Sequence, residues 1–478
     1  MAREPQATTV KDKSTEVASE VRVKLDDIVP TGSFALVEGA AAMTLHADAS
    51  FSSPNKVTLK GLFTGEAVTA AGAKLPISAG DLYVERLKVL RAALGGQTKA
   101  ADLRKSLLEA KAKIDDSIKA NLTGMMAQQR STERAWRELD AFIKLARQRE
   151  GEDVALRVAN TTVEELVTDD SKFAQLSDAI PNSSELSMEQ MVALLVLPEW
   201  VGDKAPLKKF GEMAINAKML VVAGVPESLD EAKRLFGAGG TMADIAGNAH
   251  WQQNVVLVAN DLRVRPANPR YEQNGNGLYI SAATVLAGKI ANGDVTRSLA
   301  DAQAGGEREI LLDQGVKPRW DLTNRDKIQA ALGQNIVTAA TLGNKTVFWG
   351  VRNLYSVDPN SSDKVFGQYT SVRVRDYVAK KLIQFMNSAQ VFRDNDDERR
   401  RELKSKITEF LRTHSGQGET KMLQNGECVA VRSRPTNDGG ADDSKLDIDI
   451  VLKFKGAIEN VTIKIKASKG DGWQEEGA

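Results

Sequence analysis

The clearest pattern along the chain is a set of short, unbroken apolar runs lying between amphipathic stretches. The runs 191–197, 219–223 and 255–258 carry no charged residue and are dominated by Val and Leu. Runs of that length predict strands buried on both faces of a sheet. Between them, residues 206–217 and 228–236 have helical spacing, and Ser228 with Glu231 three residues on is an N-cap signature. Strand alternating with helix predicts an α/β body. Residues 310–440 read as a second such unit. In it 324–332 is helical, 346–351 is a strand, and 371–392 is a long helix with Val374, Val378, Leu382, Phe385 and Met386 on one face. Asp394, Asn395 and Asp396 offer caps for a further helix that turns Leu403, Ile407, Phe410 and Leu411 inward, and Gly416 is its stop.

Other segments have different periods. In residues 81–149, Leu103, Leu107, Ile114, Ile118 and Leu122, and then Trp136, Leu139, Ile143 and Ala146, recur at helical steps, which predicts amphipathic helix packed on another surface. Near the ends the period drops to two. Val21, Val23 and Leu25 alternate with charges on a polar arm; Leu446, Ile448, Ile450, Leu452 and Phe454 alternate near the other end, followed after Gly456 by Val461, Ile463 and Ile465. These are strand patterns, and the Gly/Asp-rich stretch 437–443 reads as a linker before them. Residues 30–80, rich in Ala, Gly, Ser and Thr, read as short strands and turns. The division expected is an arm at 1–29, an outer region with helices at 30–130, α/β domains at 131–310 and 311–440, and a strand arm at 441–478.

A lone alternating strand has one face that needs cover and two edges that need partners. The end strands therefore either complete the chain's own sheet or are donated to a neighbour by β-augmentation. Donation from both ends to different neighbours is a heterologous contact, which builds rings or helical arrays rather than closed dimers.

Charge adds to this picture. The 478 residues hold 64 Lys+Arg and 64 Asp+Glu, so the net charge is zero with His neutral. That balance argues against direct nucleic-acid binding and leaves self-association unopposed by long-range repulsion. Asp447 and Asp449 on one strand could match Lys464 and Lys466 on another copy and set register between copies. The first 30 residues contain no apolar targeting segment and no window approaches roughly 18 apolar residues, so a soluble chain that starts in the cytoplasm is expected, without direct membrane insertion.

Candidate chemistry is sparse. Cys428 stands alone in a strand-like context and reads as a buried structural thiol; His46, His250 and His414 are far apart and form no ligand pair. The glycine cluster 237–240 lacks a P-loop lysine, 274–277 is a turn, and 394–398 lacks the later ligands of a calcium loop. His250 reads as a structural histidine at the start of a strand. No catalytic site, metal or cofactor is expected. The mixed run Asp397–Glu402 reads as a solvated helix face or as an electrostatic contact with a partner.

Several segments resemble the contractile tail-sheath proteins of bacteriophages and of type VI secretion systems. Thr346-Val-Phe-Trp-Gly-Val-Arg-Asn-Leu354 resembles a sheath strand, Tyr369-Thr-Ser-Val-Arg-Val-Arg-Asp-Tyr377 the helix start after it, and Val391-Phe-Arg-Asp-Asn395 the next turn. Glu133-Arg-Ala-Trp-Arg-Glu-Leu139, Val154-Ala-Leu-Arg-Val-Ala-Asn160 and Glu164-Glu-Leu166 are similar to segments of the type VI large sheath subunit. Asn353 and Val374 stand where the family usually has Thr and Arg. The resemblance covers about two thirds of the chain.

It implies a mixed α/β body with extended N- and C-terminal strand-donating arms. It further implies stacked hexameric rings around an inner tube protein, baseplate and terminator proteins as partners, and a sheath that contracts to drive the tube through a membrane. The location implied is a virion tail, or the bacterial cytoplasm during assembly. Intersubunit strands would then involve Val21, Val23, Leu25, Leu446, Ile448, Ile450, Leu452, Val461, Ile463 and Ile465. Arg399, Arg400, Arg401 and Lys404 would face the inner tube. The other classes considered are a different shell or non-contractile tube protein, separable by microscopy, and an α/β enzyme, which would need a pocket of converging ionisable groups.

Overall fold

The computed structural model describes residues 28–29, 41–45, 100–147, 156–180, 192–267, 277–312, 316–322, 325–357, 360–389, 394–435 and 441–456. Val21, Val23, Leu25, Val461, Ile463 and Ile465 lie outside the described residues, as does His46.

The apolar runs form the centre of an eight-stranded sheet. Its strands are β1 (Ile28–Val29), β2 (Ala41–Leu45), β3 (Leu156–Thr162), β4 (Leu194–Leu197), β5 (Leu220–Gly224), β6 (Val255–Ala259), β10 (Ile336–Leu342) and β11 (Lys345–Trp349). The order is β1-β3-β2-β4-β5-β6-β10-β11, with every pair parallel except β10–β11. The pairing of β6 with β10 joins strands from either side of residue 310 in one sheet. A three-stranded sheet of β7 (Leu262–Arg265), β8 (Leu278–Ile280) and β9 (Lys317–Pro318) lies beside it.

Alternation along these strands feeds two cores. Leu195, Leu197, Val221, Ala223, Val255 and Leu257 point to one side. There they meet α2 (Val163–Thr168), α3 (Asp170–Ala179), α4 (Lys204–Ala217), α5 (Leu229–Phe236) and α7 (Arg325–Leu332). Leu194, Val196, Leu220, Val222, Val256 and Val258 point to the other side, against α1 (Ala100–Ala146) and α6 (Ala282–Thr296). A sheet covered on both faces explains why its strands read as continuous apolar runs.

Helix α6 is buried almost all round, from Ala282 to Ile290, because it is sandwiched between the sheet and the last turns of α1. Gly288 allows that approach: a Cβ there would sit 3.1 Å from Leu145 Cβ. The two stripes in 81–149 prove to be faces of one helix of 47 residues, about 70 Å long. Leu108 on it is 60% exposed while Phe142 is wholly buried.

Some boundaries differ from expectation. His250 opens a 3-10 helix, His250–Asn254, rather than a strand, and is exposed. β2 inserts between β3 and β4, inside a segment with no strong strand pattern. The outer edge of β11 is covered by loop backbone: the Gly305 and Ile310 N–H groups donate to Phe348 and Thr346 carbonyls at 2.9 and 2.8 Å. That cover leaves no long open edge on this side of the body.

Candidate functional site

The remaining part of the chain is built differently. Helix α8 (Tyr369–Ala389) leads to α9 (Asp397–Thr413), which lies on a hairpin of β12 (Leu423–Pro435) and β13 (Ala441–Phe454). Asp396 caps α9 by accepting from the Arg399 N–H at 2.7 Å, and Asp397 and Glu398 favour its N-terminus through the helix dipole. Leu403, Ile407 and Leu411 turn inward with Val374, Val378, Leu423 and Cys428, and Ile448, Ile450, Leu452 and Phe454 pack against them half-buried.

The expected linker at 437–443 therefore gives way to strand from Ala441 onward. Leu446, Ile448, Ile450 and Leu452 pair with Ser433, Val431, Cys428 and Gly426 of the same chain. Period-two patterning specifies a strand and its apolar face but not whether the partner lies in the same chain, which is why both readings were open. Asp447 and Asp449 likewise pair with Arg434 and Arg432 across this hairpin, at 2.9 Å each, while Lys464 and Lys466 lie outside the described residues.

Among the described residues, the hairpin is a sheet of two strands. A bulge between Cys428 and Ala430 takes Val429 out of register; its carbonyl accepts from Lys404 Nζ at 2.7 Å and its side chain is 48% exposed. Val451 is 61% exposed. Among the described residues, no strand pairs with the outer edge of β13, and the edge of β12 carries one bridge, from Ser415 to Leu423. Cys428 is buried, as expected, and burial pushes its thiol pKa up.

The four basic residues of α9 are not equivalent. Arg400 donates to Asn395 Oδ1, Ser433 Oγ and Asp397, tying the helix to β12. Arg399 reaches Glu402 at 2.5 Å, and Lys404 holds the bulge. Arg401 is exposed and donates through Nε to the Asp397 carbonyl within its own helix.

Helix α8 joins this unit to the body through charge, which the sequence patterns did not reveal. Arg373, nearly buried, makes a two-pronged contact with Asp294 of α6. Arg375 donates to Gln253 and to Asn254 Oδ1, and Asn254 Nδ2 donates to Asp376 at 2.6 Å. Lys380, buried beside Asp376, donates to the Val192 carbonyl at 2.7 Å, and burial lowers its pKa to about 8. Asn353, which departs from the usual family residue, is fully buried. It donates to the Gln253 and Phe366 carbonyls and accepts from the Tyr355 N–H. Arg373, Asp376 and Lys380 are legible as polar, but only their partners mark them as buried.

The body has its own ionic node. Asp261 and Glu138 accept from the Ala282 and Ser281 N–H groups at the start of α6, and Arg134 spans Glu138, Asp261 and Glu227. Asn260 adopts φ 74°, the left-handed region that Asn tolerates, and clamps the turn through the Trp320 N–H and the Ala339 carbonyl. Desolvation outweighs Arg134 and Arg319 and raises the Asp261 pKa to about 6. These contacts explain Arg134 and Glu138 of the 133–139 motif as a clamp on the start of α6, while Glu133 pairs with Arg137 and with Arg265 of β7. Among the described residues, no group of His, Cys, Asp and Glu could hold a metal, and no helix is long and apolar enough to cross a membrane.

Comparison with known proteins agrees with this construction. The family model described as Type VI secretion system TssC/VipB, central domain, matches residues 124–323, and the TssC/VipB-like C-terminal domain matches residues 368–477. Together they span well over half of the chain. No curated protein matches.

Among solved structures, the chain resembles a component of the anti-feeding prophage baseplate. Identity is 16% and the TM-score 0.46, covering 69% of this chain and 80% of that one. It also resembles the sheath complex of an extracellular contractile injection system in its contracted state (15%, 0.45, 69% and 80%). A third is the sheath tail protein of Desulfitobacterium hafniense (15%, 0.36, 60% and 60%). Those structural scores are low, and the assignment rests on the two family models. The chain belongs to the contractile tail-sheath family and is a structural sheath subunit of a contractile injection system.

Proposed function

We propose that the subunit polymerises as stacked hexameric rings around an inner tube protein, with baseplate and terminator proteins at the ends, and contracts to drive the tube through a membrane. The observation that supports this most is the β12–β13 sheet, whose β13 edge pairs with no further strand among the described residues. A hairpin with an exposed edge is marginal alone and is suited to accept further strands. In this reading Leu446, Ile448, Ile450 and Leu452 form the accepting strand. The arm strands at Val21, Val23 and Leu25 and at Val461, Ile463 and Ile465 are donated by neighbours.

Of the basic residues, Arg401 offers the most accessible contact for the tube, with Arg399, Arg400 and Lys404 holding the helix that presents it. Assembly takes place in the bacterial cytoplasm or on a virion tail. The subunit acts without catalysis, and contraction is a change between two packings of one rigid body linked by arms.

Electron microscopy tests this. The full chain, expressed with its tube protein, is expected to form long and short cylinders of different diameter. Deleting residues 1–28 or 457–478 is expected to leave a folded, monomeric body. Closed shells, or normal cylinders from both deletions, would overturn the proposal.

A further inference from the structure

A cavity of about 350 Å³ opens where the hairpin leaves the body. Phe454 and Gly456, at the end of β13, form one wall; Tyr355, Arg352 and Lys364 form the others, and Ser371, in the first turn of α8, forms part of its lining. The volume sits at the lower end of the roughly 300–1,000 Å³ typical of ligand pockets. Among the described residues its lining includes two cations and no carboxylate, and the N-terminus of a 21-residue helix adds partial positive charge. The Ser371 hydroxyl, on a residue only 2% exposed, has no hydrogen-bond partner among the described residues. A buried hydroxyl without a partner costs free energy unless something else satisfies it. The Phe454 ring packs edge-on against Phe366 at 5.7 Å, with the Arg375 guanidinium over Phe366, so this wall is fixed to the joint. The site is thus apolar at the wall, cationic at the rim and short of one acceptor or donor within.

We infer that this cavity receives the Trp473–Glu476 segment of a neighbouring copy, with the indole against Phe454 and the Glu475 and Glu476 carboxylates against Arg352, Lys364 and the Ser371 hydroxyl. The inference rests on the proposed donation of the arm. The chemistry matches: this segment is where the sequence sets an aromatic residue two and three positions before paired carboxylates, beyond the described end of the chain at Gly456. The length matches as well. An arm strand ending at Ile465 beside a neighbour's hairpin leaves seven residues before Trp473, enough to span roughly 25 Å. In this proposal the segment uses that reach to arrive at the end of the same hairpin, where Phe454 lines the cavity.

The test uses a fluorescently labelled, C-terminally amidated peptide of residues 469–478. Anisotropy is read against the monomeric fraction of the full-length chain, isolated by size exclusion, and against a chain ending at Ser468. Saturable binding to both is expected, weakened at least tenfold by K364E and by the peptide change Trp473→Ala, and reduced by salt. Ser371→Ala, which keeps the fold, is expected to weaken binding several-fold. No binding, or equal binding by K364E, would overturn the inference. So would markedly weaker binding to the full-length monomer than to the shortened chain, because the site would then be filled by the chain's own segment. The arm proposal fails separately: if the peptide binds but deletion of 457–478 leaves cylinders intact, donation is wrong and the cavity assignment stands. If the deletion abolishes cylinders and the peptide does not bind, the reverse holds.

Discussion

The body and the C-terminal hairpin unit solve the same problem, covering a sheet, with opposite degrees of completeness. In the body, eight strands are sandwiched between helices, and a loop covers the β11 edge. In the hairpin unit, two strands lie on one helix, apolar residues on β13 are only half-buried, and Val429 and Val451 face outward. Among the described residues, the body's sheet is covered on both faces and the hairpin unit's sheet stops at two strands. In the proposed assembly, association falls at the hairpin, where no further strand pairs with β13 among the described residues. The joint between them combines the Arg373–Asp294 ion pair with the Tyr369 side chain, which is fully buried in the body's core.

The joint gives the largest expected effect. Asp294→Ala leaves the buried Arg373 guanidinium without its carboxylate, and losses of roughly 3–5 kcal/mol attend such unpaired buried charges. Denaturant unfolding is expected to split into two transitions as the hairpin unit uncouples from the body. A single, unshifted transition would show that the joint carries no coupling.

Next come paired core truncations. Leu411→Ala, in the small core, is expected to cost about 2–5 kcal/mol locally, and hydrogen exchange should rise across 397–454 while β4, β5 and β6 stay protected. Leu195→Ala should instead raise exchange throughout the chain. The same exchange pattern from both variants would remove the distinction between the two regions.

A smaller effect follows from Asp261, which is held between Arg134 and Arg319 with Glu138 and Glu227 nearby. Its folded pKa, about 6, lies above its ordinary 3.8 because burial dominates. The stability it contributes is therefore fully present below about 3.8 and is lost as pH rises through 6. Between pH 4 and 7 the wild type is expected to lose on the order of 2–3 kcal/mol relative to Asp261→Asn, measured by denaturant midpoints. A pH-independent difference would show that the two arginines outweigh burial.

Much of the body is legible in the sequence because a sheet buried on both faces writes itself as apolar runs, as at 194–197 and 220–224. The capped helices, such as Ser228 before α5 and Asp396 before α9, are legible for the same local reason. What is not legible depends on partners distant in the chain. Short strands are expected within 30–80 and Ala41–Leu45 is one, but its place between β3 and β4 comes from the sheet around it. Arg373, Arg375, Asp376 and Lys380 look like the solvated face of a helix until Asp294, Asn254 and the Val192 carbonyl are brought against them. The hairpin strand at 446–452 shows its alternation plainly, yet alternation is silent about whether the partner strand is in the same chain.

The claim that the open hairpin is completed by neighbouring copies is tested most directly by hydrogen exchange of the same protein before and after assembly into cylinders. The account predicts that amides of β13 pass from weak protection to protection comparable with the central sheet, while β4–β6 change little. Cylinders in which the β13 amides exchange as fast as in the free subunit would contradict it.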